Sequence, residues 1–113
     1  MELPFKKTST IGWFARNLAE WQSDGWLFIP KEQSLGLDTP CFLQGWNSRE
    51  LSPEEQDDLD DQVQKAGLRS FLEWGQIDMI IGNLQAQRPN YSESELLKAI
   101  QHYWDRDAYI RFS

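Results

Sequence analysis

The side chains that could serve as a nucleophile and its base are few. The chain of 113 residues has one histidine, His102, and one cysteine, Cys41. A nucleophilic site needs a base beside Ser or Cys and a third group that orients the base. Cys41 stands in an apolar segment, which is typical of a buried, inert thiol. His102 falls away from the apolar stripe of a predicted helix, so we expect it at the surface. The sequence therefore predicts no catalytic residues.

Metal and phosphate chemistry have equally little support. Zinc needs three or four Cys or His ligands, more than the chain contains. The acidic run at residues 57–61 lacks the spacing and the glycine of a calcium loop, and no glycine-rich phosphate motif is present. We predict no metal site and no cofactor. A carboxylate pair in a cleft would still permit acid–base catalysis, but no pair has priority, so we predict a binding protein rather than an enzyme.

The distribution of charge is the most informative feature of the sequence. Residues 50–64 hold seven acids and no base, whereas the rest of the chain holds eleven acids and eleven bases, so this segment accounts for the net charge of −7. A local field of one sign steers a partner of the opposite sign. We therefore expect a basic protein partner, and no direct contact with nucleic acid or membrane. The alternative is a solvated face that only keeps the protein in solution.

The acidic segment carries a helix start. Ser52 can cap the helix, Pro53 fits its first position, and Glu55 completes a capping box. The helical period places most of the acids opposite a narrow apolar stripe, where they face water. Trp46, close in sequence, is a candidate anchor, because tryptophan is enriched in interface hot spots. The predicted partner-binding residues are Glu54, Glu55, Asp57, Asp58, Asp61 and Trp46.

The surrounding pattern mixes strands and helices without regular βαβ alternation. This favours the α+β class, with a small, three-stranded, mainly antiparallel sheet and about four helices in the order α-β-β-α-β-α-α. The predicted elements are a helix at 8–22, strands at 26–29 and 40–46, a helix at 53–66, a strand at 68–74, and helices at 75–87 and from 93 to the tail. Residues 105–113 could form a packed tail or a short strand.

The length and the apolar residues predict one domain over residues 1–113. We expect the core to contain most of the large aromatic residues, namely Trp21, Trp26, Phe28, Phe42, Phe71 and Trp104. No apolar run is long enough to span a membrane, and the first ten residues lack the pattern of a signal peptide. Together with the single cysteine, these features predict a cytoplasmic protein.

Three segments carry a resemblance to a known group of proteins. They are LFIPK at 27–31, LDTPC at 37–41 and YWDRDAYI at 103–110. The chain is similar to a family of small, uncharacterised bacterial proteins, many of which look like immunity proteins paired with secreted toxins. The resemblance implies that the chain binds a toxin domain, for which a basic nuclease suits the charge, and occludes its active site. The family has no active-site pattern, so no functional residue is carried over. Alternatives are an acidic mimic of nucleic acid, a regulatory or scaffold protein, and an enzyme with an unrecognised carboxylate site.

Overall fold

The computed structural model describes residues 3–112, which form an antiparallel sheet with helices on both of its faces. The strands are β1 (Phe5–Thr10), β2 (Trp26–Pro30), β3 (Pro40–Gln44) and β4 (Leu68–Glu73), in the order β1-β3-β2-β4. The helices are α1 (Ile11–Arg16), α2 (Leu18–Trp21), α3 (Pro53–Lys65), α4 (Trp74–Gln87) and α5 (Glu93–Arg106), with a 3-10 turn at Ser48–Glu50. The α+β class agrees with the prediction.

The predicted count of three strands and about four helices was wrong, because the described residues form four strands and five helices. The segment of the first predicted helix, 8–22, instead contains the end of β1 and two short helices. The strand residues at 6–9 are polar and mostly exposed, since β1 is an edge strand that pairs only with β3. The helix cap is Thr10, whose hydroxyl oxygen accepts from Trp13 N at 3.1 Å. Asn17 then separates α1 from α2.

The predicted pairing of the two middle strands is confirmed. β2 and β3 are antiparallel, with Leu27 opposite Leu43 and Phe28 opposite Phe42. Their connecting loop is closed by Thr39, which is buried. The Thr39 hydroxyl donates to Ser34 O at 3.0 Å and accepts from Gly36 N at 2.9 Å.

Strand β4 departs from simple alternation. The sequence predicts Leu68, Ser70 and Leu72 on one face of the sheet. The pairing between β2 and β4 shifts register between Trp26 and Phe28, so that Phe71 and Leu72 are both buried in the main core. The prediction was therefore wrong for Leu72, because a bulge adds a residue that alternation does not count.

The sheet separates two cores of unequal size. Leu27 and Ile29 lie in the main core, where α1, α4 and α5 pack, whereas Phe28 lies in a smaller core with Val63 of α3 and Leu68. Alternate residues of a strand point to opposite faces, so α3 packs on the face opposite to α4 and α5. One helix covers this second face. Half-buried residues complete it, among them Phe5, Phe42 and Trp46.

The last two helices follow the sequence closely. Ile77, Ile80, Ile81 and Leu84 are buried along α4, as the apolar stripe predicts. The chain ends in a packed tail: Phe112 N donates to Gln87 Oε1 at 2.9 Å, and Gln87 Nε2 donates to Ile110 O at 2.8 Å. Among the described residues, no helix has the length and apolar character needed to cross a membrane.

Candidate functional site

Helix α3 begins with the predicted capping box. Ser52 Oγ accepts from Glu55 N at 3.2 Å, and Glu55 Oε1 accepts from Ser52 N at 3.1 Å. These hydrogen bonds, chiefly the one from the Ser52 backbone, lower the pKa of the Glu55 carboxyl group. Gly67, with φ of 77°, follows the helix as the left-handed residue that commonly ends one. The position of α3 in the chain is thus set by local sequence.

The carboxylates of α3 face water. Val63 is the one buried side chain of this helix. All six acids of the helix are exposed, namely Glu54, Glu55, Asp57, Asp58, Asp60 and Asp61. Asp61 lies 2.8 Å from Lys65 Nζ, and this contact raises the pKa of Lys65. In the part of the chain that the structure describes, the other five acids form no ion pair. The exposure of the acids agrees with the sequence prediction.

A cleft of about 500 Å³ lies between α3 and the sheet. The helix contributes Gln56 and Asp60 to its wall, and the sheet side contributes Trp26, Trp46 and Arg69. We call it the α3 cleft. This volume is within the range of clefts that bind small molecules.

Trp46 is placed in the α3 cleft by aromatic packing. Its indole stacks on Phe28 with 5.8 Å between ring centroids and contacts the Phe5 ring at 5.9 Å. The Trp46 carbonyl accepts from Gln44 Nε2 at 2.8 Å, which fixes the backbone. The structure therefore brings Trp46 next to α3, as its position in the sequence suggested. It does not bring Trp46 together with the five predicted acids, none of which lines this cleft.

Three buried side-chain atoms have no hydrogen-bond partner among the described residues: Trp46 Nε1, Gln56 Oε1 and Arg69 Nε. All three residues line the α3 cleft. An unpaired buried polar atom costs about 1–3 kcal/mol, so its presence calls for an explanation. The guanidinium carbon of Arg69 lies 5.3 Å from the centroid of the Trp104 ring, a cation–π contact that gives the Nε–H no acceptor. Among the described residues, the cleft thus has two unpaired donors, Trp46 Nε1 and Arg69 Nε, and one unpaired acceptor, Gln56 Oε1.

The family model of a domain of unknown function (DUF7716) matches residues 13–112. The match extends from α1 through the C-terminal tail and includes every residue of the α3 cleft. The chain belongs to the DUF7716 family. Comparisons with curated proteins and with solved structures found no match. Membership of a family of unknown function agrees with the resemblance seen in the sequence, and leaves the role in toxin immunity as a proposal.

The prediction that Trp26 lies in the core of this DUF7716 domain was wrong. Trp26 is 38% exposed and lies between the α3 cleft and a second cavity of about 380 Å³. Trp26 and Phe28 share the sheet face that α3 covers, but the helix reaches only Phe28. The two cavities also share Gln44 and Ser48, so they form one continuous concave surface.

Sequence reasoning also missed Gln56 and Asp60 as members of a site. A signal was present: Gln56, Asp60 and Val63 have the spacing of one helix face, so the residues beside the buried Val63 border the sheet. Asp60 counted only toward the charge of residues 50–64 and was not among the predicted partner-binding residues.

The side chains first considered for catalysis lie outside the cleft. Cys41 is completely buried in the main core, which raises the pKa of its thiol to about 12. His102, on α5, is half-buried, more covered than predicted. Within residues 3–112 no three His, Cys, Asp or Glu side chains are grouped so that they could hold a metal ion.

Proposed function

We propose that this DUF7716 domain is a cytoplasmic immunity-type protein that binds a basic toxin domain through α3 and occludes its active site. The observation that carries the proposal is the outer face of α3, where four exposed carboxylates, those of Glu54, Glu55, Asp57 and Asp58, form no ion pair within residues 3–112. The resemblance to immunity proteins supplies the class of partner. A nuclease is the toxin that best suits this charge.

The electrostatic argument follows from what a nuclease groove binds. Such a groove presents basic side chains to successive phosphates, and carboxylates along one helix face can take the place of those phosphates. The capping box supports this arrangement, because it orders the first turn, where Glu54 and Glu55 lie. Charge complementarity raises the association rate and makes it sensitive to salt.

The adjacent concave surface supplies contacts that charge alone does not. Trp26 is exposed at its centre, and Trp46 is held there by Phe28 and Phe5. Rigid aromatic side chains beside a charged face are the usual anchors of a slowly dissociating complex. The proposed interface therefore includes the outer acids of α3 and the two tryptophans.

The test compares two triple variants as tagged baits in extracts of the native cells. The first variant is Asp57→Lys, Asp58→Lys and Asp61→Lys on α3. The control is Glu32→Lys, Asp78→Lys and Asp105→Lys, which makes the same change in net charge at exposed acids elsewhere. We expect wild type and control to retain one basic protein through a low-salt wash, and the α3 variant to lose it.

The captured protein then decides between the remaining readings. An immunity protein should block the toxic activity of that one partner at a ratio of one to one. An acidic mimic of nucleic acid should instead retain several DNA-binding proteins and compete with DNA for each. Equal capture by both triple variants would show that α3 is outside the interface, and would contradict the proposal.

A further inference from the structure

On the helix side of the α3 cleft, Gln56 and Asp60 present a pair of hydrogen-bond acceptors in a fixed arrangement. Gln56 Nε2 donates to Asp60 Oδ1 at 2.9 Å, one helical turn further on. A carboxylate only accepts, so this hydrogen bond directs the amide nitrogen of Gln56 to Asp60 and leaves the amide oxygen unpaired. Gln56 Oε1 and the exposed Asp60 carboxylate thus offer acceptors to a donor that enters the cleft.

The two cations that line the same cleft are engaged elsewhere. Lys31 Nζ donates to Gln64 O at 3.4 Å, near the C-terminal end of α3. Arg69 packs its guanidinium over the Trp104 ring. Among the described residues neither forms an ion pair with Asp60. Both cations keep their charge, but the six acids of α3 outnumber Lys31, Lys65 and Arg69, so the net field at this wall is negative and favours a cation.

Opposite this wall are indole rings. Trp46 is supported from behind by Phe28, and Trp26 is exposed beside it. A guanidinium group can stack on an indole and donate to a carboxylate in the same plane, whereas an ammonium group has no planar face. The combination of acceptors and indoles therefore selects arginine over lysine.

We propose that the α3 cleft receives an arginine side chain of the basic protein partner, between Gln56 and Asp60 on one side and Trp46 on the other. This inference rests on the proposed function and names the contact that anchors the partner. A main-chain carbonyl beside that arginine would accept from Trp46 Nε1, another unpaired atom of the cleft. The outer acids of α3 attract the partner, and the arginine bound in the cleft fixes the position at which the partner docks.

The probes are three short peptides, acetyl-Gly-Xaa-Gly-amide, in which Xaa is arginine, lysine or citrulline. Citrulline keeps the shape of arginine and removes its charge. The readout is the Trp46 indole N–H resonance in a ¹⁵N spectrum, identified by its loss in Trp46→Phe. We expect a saturable shift with the arginine peptide and weaker binding of the other two. Asp60→Asn should weaken arginine binding about tenfold, as expected for the loss of one charge-assisted hydrogen bond. Asp78→Asn, which changes an exposed acid of α4, should not alter it.

Equal shifts with arginine and lysine, or unchanged arginine binding in Asp60→Asn, would overturn the inference. As a control, Asp60→Asn must have the same midpoint of thermal unfolding as wild type. Gln56→Ala removes the other acceptor of the same wall and should independently weaken binding of the arginine peptide. The experiments distinguish failure of this inference from failure of the proposed function. If the Asp60→Asn bait holds its basic partner against salt as wild type does, the inference fails and the proposed function stands. If arginine fills the cleft but α3 captures no basic partner, the proposed function fails.

Discussion

Trp46 and Phe28 stack across the sheet face that α3 covers, with 5.8 Å between ring centroids and 28° between ring planes. Phe5 contacts both rings at 5.9 Å. Since α3 contributes only Val63 as a fully buried side chain, these aromatic rings provide much of the packing on this face. The aromatic cluster is therefore the main packed part of the floor of the α3 cleft.

Truncation of the two tryptophans of the cleft should give unequal losses of stability. We expect Trp46→Ala to lower the free energy of unfolding by about 2–3 kcal/mol, because it removes a half-buried ring from the aromatic cluster. Trp26→Ala should cost about 1 kcal/mol or less, since Trp26 is largely at the surface. Urea unfolding followed by far-ultraviolet circular dichroism measures both. Equal losses would mean that Trp46 is not part of the packed face.

The pKa of Glu55 should report the capping box. Hydrogen bonds from Ser52 lower this pKa below the ordinary value of 4.5. A carboxyl group with a lowered pKa in the folded state stabilises the fold above its unfolded pKa, and this contribution disappears as the pH falls through the folded pKa. Ser52→Ala removes the side-chain hydrogen bond, the smaller of the two causes, and should raise the Glu55 pKa part of the way toward 4.5, because the backbone hydrogen bond remains. A carboxyl NMR titration measures it, and an unchanged pKa in Ser52→Ala would contradict the role of Ser52.

Local sequence predicted the parts of the fold that local contacts determine. The capping box at Ser52 predicted the start of α3, because the box satisfies backbone N–H groups within four residues. Strand β1 could not be recognised in this way. Its polar edge residues are held by pairing with β3, thirty or more residues away in the sequence, and no local pattern records that pairing.

The sequence likewise predicted some features of the candidate site and not others. The exposed acids and the nearness of Trp46 to α3 follow from charge, helical period and sequence distance. The α3 cleft depends on the strand order β1-β3-β2-β4, which places β4 beside β2 and α3 across their shared face. This strand order places Asp60 and Trp26 in the lining of one cleft, and the order arises from contacts between segments far apart in the sequence. A helical wheel shows which residues of α3 face the sheet, but it does not show which residues of the sheet they contact.

Cys41 should be inert in the folded protein. Burial raises the pKa of its thiol to about 12, so the reactive thiolate is scarce at neutral pH, and the side chain has no exposed surface. We expect Ellman's reagent to react with less than one tenth of the protein in buffer and with one equivalent of thiol in denaturant. The rate in buffer should follow the opening of the main core. Fast reaction of the native protein would show that β3 is accessible.

Substitution by alanine should have opposite effects on stability at Gly67 and at Gly82. Gly67 has φ of 77° and no atom within 4 Å of an added Cβ, so Gly67→Ala should strain only the backbone and cost about 1–2 kcal/mol. Gly82 is exposed within α4, and an added Cβ there also meets no atom within 4 Å. Gly82→Ala should stabilise the protein by about 0.5–1 kcal/mol through helix propensity. Because neither site involves packing, the difference between the two isolates the backbone conformation that ends α3. Equal effects in urea unfolding would mean that the left-handed turn after Ala66 is not needed, and that α3 can end in another way.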